Sequence, residues 1–126
     1  MNSTFSNLSQ IPWAGRGKNL TVPTLNFSPP QDMKRDYWVY AGIIETNTVS
    51  YPAAVHFGPT PTFADTTPRL EVNLIDVAHI SFAHGTVFQL TLIEKIRDIQ
   101  LFESPEWLKQ QILIDIGRIR EILRKK

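Results

Sequence analysis

The stretch Arg69-Leu70-Glu71-Val72-Asn73-Leu74-Ile75-Asp76 alternates clearly between apolar and polar side chains. Neighbouring side chains in a β-strand point to opposite faces, which here separates two sets: Leu70, Val72 and Leu74 from Glu71, Asn73 and Ile75. This period of two predicts a strand with one face in the core. Similar patterns recur on both sides of the stretch.

Three further segments have the character of strands. Residues 37–45 are rich in aromatic and β-branched side chains, residues 51–57 follow after a turn, and residues 88–92 alternate as above. Residues 58–63 predict a rigid loop, and the nine prolines favour short strands because proline is poor in sheet interiors. We therefore expect a mainly β fold, either an antiparallel barrel or a sandwich.

The end of the chain changes to a helical pattern. Ser104-Pro105-Glu106 is typical of a helix start, with an N-cap serine, a proline at the first position and an acid in the first turn. Apolar residues then recur at spacings of three and four: Leu108, Ile112, Ile116, Ile119 and Leu123. This stripe predicts a C-terminal helix packed on the strands.

Length and composition indicate one soluble domain over residues 1–126, with 42% hydrophobic and 20% charged residues. Residues 1–12 are either flexible or packed on the domain. The chain has no cysteine, which excludes disulfides and thiolate metal sites. A net charge of +1 does not indicate a nucleic-acid or membrane partner. The N-terminus lacks the features of a signal peptide, so we expect a cytoplasmic protein, and we expect a monomer.

Two neighbouring motifs suggest phosphate handling. Gly15-Arg16-Gly17-Lys18 combines a flexible backbone with positive charge, and Pro23-Thr24-Leu25-Asn26 follows it. Thr24 and Asn26 would present two oxygen ligands on one side of an extended segment, which suits Mg²⁺ beside nucleotide phosphates. Ordinary turn chemistry is the alternative, because Gly, Pro and Asn dominate turns.

One acidic residue stands out as a candidate general base. Glu71 would lie on the strand face opposite Leu70, Val72 and Leu74, where a carboxylate can accept a proton from a substrate hydroxyl. The alternative is that Glu71 faces water on an exposed sheet surface. The three histidines are scattered and show no zinc-binding spacing.

The order of these motifs resembles the riboflavin kinase family, which also forms the kinase module of bifunctional bacterial FAD synthetases. The resemblance runs from about Gly15 to the C-terminal helix. Its landmarks are Gly15-Arg16-Gly17-Lys18 with Pro23-Thr24-Leu25-Asn26, Val39-Tyr40-Ala41, Gly58-Pro59-Thr60-Pro61-Thr62-Phe63, residues 70–76, and the closing segment from Ile96-Arg97-Asp98 to Asp115.

The resemblance implies a six-stranded Greek-key antiparallel β-barrel with a C-terminal α-helix. It implies an ATP:riboflavin 5′-phosphotransferase that makes FMN and ADP with Mg²⁺. The implied roles are general base for Glu71, metal and nucleotide binding for Thr24 and Asn26, and closure over the flavin for Arg97 and Phe102. The implied cover of the nucleotide phosphates is Gly15, Arg16, Gly17 and Lys18.

Two alternatives stay open from the sequence. The family's arginine before Pro-Thr-Phe is Thr60 here, and its histidine two residues after the glutamate is Asn73. Such departures also fit a weakened enzyme or a flavin- or nucleotide-binding relative. A Greek-key barrel that binds single-stranded nucleic acid is the other alternative, although the near-neutral charge argues against it.

Overall fold

Residues 2–11, 23–78 and 81–125 are described by the computed structural model. Six antiparallel strands and a C-terminal helix account for most of them: β1 Ser3–Phe5, β2 Thr24–Phe27, β3 Trp38–Glu45, β4 Ser50–Thr60, β5 Asp65–Leu74, β6 Gln89–Asp98 and α1 Pro105–Arg124. The strands lie side by side in the order β1-β6-β3-β4-β5-β2. A short 3-10 helix, Pro61–Phe63, connects β4 to β5. The prediction of a mainly β fold with one C-terminal helix is confirmed.

The first residues of the chain connect the two edges of this sheet. β1 pairs with β6 at one edge, and residues 9–11 then bond to β2 at the other. Two backbone hydrogen bonds of 2.9 Å make this second link, from Ile11 N to Asn26 O and from Ser28 N to Ser9 O. Phe5 and Leu8 are buried. The sheet is therefore barrel-like, and residues 2–11 pack against it.

The interior of the barrel is filled by apolar side chains from every strand. The alternation in β5 places its predicted apolar face inward, and Leu70, Val72 and Leu74 are almost completely buried. Phe27 and Phe88 meet edge to face, with ring centroids 5.2 Å apart. Burial of side chains of this size supplies the main favourable term in folding.

The helix covers the outer face of β3, β4 and β6. Ser104 caps it, because its Oγ accepts a hydrogen bond of 3.3 Å from Trp107 N. The predicted stripe faces the sheet, where Ile112, Ile116 and Ile119 pack in a second apolar cluster with Val39 and other residues of the strands. The fold thus has a filled barrel and a separate layer between barrel and helix.

The predicted rigid loop over residues 58–63 is wrong in part, since β4 continues to Thr60. The pairing of β4 with β5 is irregular there and steps from Gly58↔Arg69 to Thr60↔Asp65. A strand tolerates proline at such an irregularity, which explains how Pro59 lies within β4. Within residues 58–63, only Pro61–Phe63 lies outside the strand.

Candidate active site

A row of side chains crosses the outer face of the barrel and leads to the helix. Asn26 of β2 lies opposite Glu71 of β5, Glu71 lies opposite His56 of β4, and the row continues through Val39 to Arg97 of β6. Residues paired directly across antiparallel strands point to the same face. Backbone register therefore brings together residues that are up to 71 positions apart in the sequence, as from Asn26 to Arg97.

A cavity lies over the part of this row from Glu71 to Arg97, between the sheet, the start of α1 and two connecting segments. Residues from each of these parts form its walls: Thr24, His56, Thr60, Glu71, Asn73 and Arg97 from the strands, residues 61–63 with Ile99, Gln100 and Phe102 from the connections, and Leu108, Ile112 and Asp115 from the helix. Glu71 is only partly exposed and belongs to this cavity. The sequence left open whether Glu71 faces water on an exposed sheet surface. The structure places it instead in a lined cavity.

The predicted oxygen ligands stand beside the predicted base. β2 places Thr24 opposite Asn73 and Asn26 opposite Glu71. Thr24 Oγ1 donates a hydrogen bond of 2.7 Å to Asn73 Oδ1, which fixes the direction of the hydroxyl hydrogen. Asn26 is buried at 8% exposure. The arrangement gives two oxygen-bearing side chains next to one carboxylate.

Arg97 joins the sheet to the helix inside the cavity wall. Its Nε and one terminal nitrogen donate to the carboxylate of Asp115 at 3.0–3.1 Å, and its other terminal nitrogen donates to Asp98 O at 3.2 Å. Gln111 Nε2 also donates to Asp115 Oδ1 at 3.0 Å. The guanidinium carbon lies 5.6 Å from the centroid of the Phe102 ring. Arg97 therefore holds the helix and Phe102 in place around the cavity.

His56 is a residue of the cavity that sequence reasoning missed. Its Nε2 lies 3.1 Å from Gly58 O and 2.9 Å from Pro59 O. Burial lowers the pKa of His56 below its ordinary value, although the nearby Glu71 carboxylate opposes this shift. The only available signal was its position between two apolar residues of a predicted strand, which sets it on the outer face.

A family model described as flavokinase, or riboflavin kinase, matches residues 11–123. The chain belongs to the riboflavin kinase family. Bifunctional riboflavin kinase/FMN adenylyltransferases of Escherichia coli K12 and Shigella flexneri are each 33% identical to it over 106 residues. Those alignments cover 83% of this chain but only 33% of each relative. The chain therefore spans about a third of the length of these relatives.

A solved structure supports the family fold. The crystal structure described as a macrolide-efflux protein from Streptococcus pneumoniae superposes with a TM-score of 0.74 and covers 94% of this chain and 38% of its own. At 24% sequence identity, this similarity shows the fold alone. In the described part of the chain, no helix is long and apolar enough to cross a membrane.

The riboflavin kinase family is associated with a divalent metal, and the donor set here suits Mg²⁺. Within residues 2–11, 23–78 and 81–125, no three His, Asp or Glu side chains cluster as a metal site. Mg²⁺ commonly binds through few protein oxygens together with water and substrate phosphates. Thr24 and Asn26 offer two neutral oxygens, one hydroxyl and one amide carbonyl, that could contribute to such a site. The predicted phosphate cover, Gly15 to Lys18, lies outside the described residues.

The hydrogen bond from Thr24 leads to a prediction about Asn73. Replacing Asn73 with Ala removes the acceptor that orients the Thr24 hydroxyl, and loss of such a supporting contact typically weakens metal binding about 10- to 100-fold. We expect the Mg²⁺-dependent affinity for ADP to fall by roughly that factor. Calorimetric titration with ADP, with and without Mg²⁺, measures it. Asn47→Ala in an exposed turn is the control, and equal affinities for both variants would contradict the prediction.

The lowered pKa of His56 leads to a prediction about stability and pH. Below pH 6.5, the ordinary pKa of histidine, the unfolded chain binds a proton at this residue. The folded chain binds that proton less readily, because its His56 has a lower pKa. His56 therefore reduces the free energy of unfolding as the pH falls through and below about 6.5. We expect urea unfolding to show that, between pH 7.5 and pH 5.5, the free energy of unfolding falls more for the wild type than for His56→Gln. Equal losses would contradict this expectation.

Proposed function

We propose that this chain transfers the γ-phosphate of Mg-ATP to the ribityl 5′-hydroxyl of riboflavin and releases FMN and ADP. Membership of the riboflavin kinase family supports the substrate class. The observation that carries the proposal is the register of β2 with β5, which sets Thr24 and Asn26 beside Glu71, with Thr24 and Glu71 lining one cavity. Phosphoryl transfer needs this combination of positioned phosphate, neutralised charge and a group that deprotonates the acceptor.

Glu71 has the role of general base in this proposal. Its carboxylate accepts the proton of the riboflavin 5′-hydroxyl, and that oxygen forms a bond to the γ-phosphorus. The bond between the γ-phosphorus and the bridging oxygen of ADP breaks, and ADP leaves with the electron pair. A carboxylate suits this step because its oxygens accept the hydrogen bond of the hydroxyl and can take up its proton.

The other residues position the substrates. Thr24 and Asn26 would hold Mg²⁺ and the nucleotide phosphates, and the metal, when bound, offsets the charge on those phosphates. Residues Gly15 to Lys18, which precede Thr24 in the sequence, would cover the phosphates. Phe102, supported by Arg97, offers an aromatic face for the flavin ring. A monomeric state and a cytoplasmic location remain predictions.

The direct test is FMN formation from riboflavin and Mg-ATP by the purified chain, resolved by chromatography. We expect FMN and ADP in equal amounts, and no FMN when ATP or the divalent metal is omitted. A folded protein that binds riboflavin or ADP but makes no FMN at saturating substrate would overturn the proposed reaction. That outcome would favour a binding protein on the same fold.

A further inference from the structure

The hydrogen bonds of His56 fix which of its ring nitrogens carries a proton. Both contacts of Nε2 are with backbone carbonyls, Gly58 O and Pro59 O, and a carbonyl oxygen only accepts. Nε2 must therefore be the donor, shared between the two oxygens. In the neutral ring the proton is on Nε2, and Nδ1 carries the lone pair.

These two carbonyls lie where the β-ladder is irregular. The pairing of β4 with β5 moves from Gly58↔Arg69 to Thr60↔Asp65, so β5 has extra residues at this point. Gly58 has a φ of +138°, a conformation that glycine adopts readily and other residues do not. A Cβ at Gly58 would come within 2.8 Å of Tyr37 Cβ, so the backbone is also closely packed. His56 provides a donor at a place where regular strand pairing is disturbed.

The segment held by His56 becomes a wall of the cavity. Thr60, Pro61, Thr62 and Phe63 follow directly and all line it. The far end of this segment is also fixed, because Thr62 Oγ1 accepts a hydrogen bond of 3.0 Å from Phe102 N. His56 and Phe102 thus restrain the two ends of one short segment.

The ionisable side chains of the cavity show which charges surround Glu71. Among the residues that the structure describes, four ionisable side chains line the cavity: His56, Glu71, Arg97 and Asp115. Arg97 and Asp115 are paired with each other at 3.0 Å, so their charges compensate. His56 is the direct cross-strand neighbour of Glu71. A neutral imidazole at His56 places no positive charge beside the Glu71 carboxylate.

We propose that His56 is a positioning residue for the reaction: its Nε2–H holds the carbonyls of Gly58 and Pro59 and so fixes the 60–63 segment as the cavity wall beside Glu71. This inference rests on the proposed kinase function and adds a residue to it. His56 itself acts through the backbone of the segment.

Two substitutions of His56 separate the effect of its hydrogen bonds on activity from the effect of side-chain size. His56→Gln places an N–H donor near the position of Nε2, whereas His56→Leu is apolar and donates nothing. We expect kcat/KM for riboflavin to fall about 10- to 100-fold in His56→Leu, since small misplacements of a reacting group have effects of that size. We expect His56→Gln to stay within about threefold of the wild type. Equal activity of His56→Leu and the wild type would overturn the proposal, as would equal loss in both variants.

The kinetic test keeps this proposal apart from the kinase function itself. Absence of FMN from the wild type would refute the function, whereas FMN formation that depends on Glu71 but not on His56 would refute only the present inference. Thermal unfolding of each variant identifies activity lost through unfolding.

A spectroscopic measurement on the wild type tests the same hydrogen bonds without depending on activity. Long-range ¹H–¹⁵N correlation spectra of the wild type distinguish the two tautomers, and His56→Gln assigns the signal among the three histidines. We expect a protonated Nε2 and an unprotonated Nδ1 at neutral pH. The opposite tautomer, or rapid averaging between the two, would overturn the proposal.

Discussion

Replacing Glu71 with Gln is expected to lower kcat for FMN formation about 10²- to 10⁴-fold, the range that general base catalysis contributes. Glutamine has nearly the same shape but cannot accept the proton of the riboflavin hydroxyl. The residue lies within a continuous ladder, opposite Asn26 on one side and His56 on the other, so its backbone stays in register. Binding of riboflavin is expected to change little, because the substitution removes a transition-state interaction.

The measurement is the steady-state rate of FMN formation together with the affinity for riboflavin from quenching of flavin fluorescence. Glu94→Gln is a matched control, since Glu94 is also a strand carboxylate but is exposed on β6, away from the cavity. We expect Glu94→Gln to retain wild-type turnover. A Glu71→Gln variant with kcat within threefold of the wild type would rule out the role of general base.

Replacing Asp115 with Asn is expected to destabilise the fold by about 3 kcal/mol, because breaking one side of a buried ion pair leaves the other charge uncompensated. The pair is well shielded from water, with 14% exposure for the side chain of Arg97 and 3% for that of Asp115. Asparagine keeps the volume and one acceptor oxygen but removes the negative charge. Urea unfolding followed by circular dichroism measures the change.

An exposed ion pair on the same helix provides the comparison. Arg120 bonds to Asp76 with both side chains in contact with solvent, and these hydrogen bonds lower the pKa of the Asp76 carboxyl. Asp76 has a φ of +62°, which asparagine also tolerates. Because solvent screens an exposed pair, we expect Asp76→Asn to leave unfolding nearly unchanged. Similar effects of the two substitutions would show that burial does not set the strength of the Arg97–Asp115 pair.

The parts of the fold that could be predicted are those with local signals. The alternation in residues 69–76 gave the inward face of β5, and Ser104 with Pro105 gave the start of α1. The same rule set Thr24 and Asn26 on one side of a strand. Each of these depends on positions only a few residues apart, so the sequence pattern was sufficient.

The parts that could not be predicted depend on pairing between distant strands. His56 becomes a neighbour of Glu71 only through the register of β4 with β5, and the pattern of each strand taken alone does not reveal which residue it will face. The partnership of Arg97 with Asp115 likewise requires knowing where α1 crosses β6. The continuation of β4 through Pro59 was missed because proline in a strand is tolerated only at irregular positions, which local patterns do not reveal.

The pairing of β1 with β6 has a consequence for how the protein folds during synthesis. Thr4 lies opposite Thr91, so β1 must wait until β6 has been synthesised before it gains its partner. Contacts between such distant residues slow folding, because a long loop must close before any of them forms. Until then the nascent chain carries unpaired strand edges, which are the surfaces most prone to aggregation.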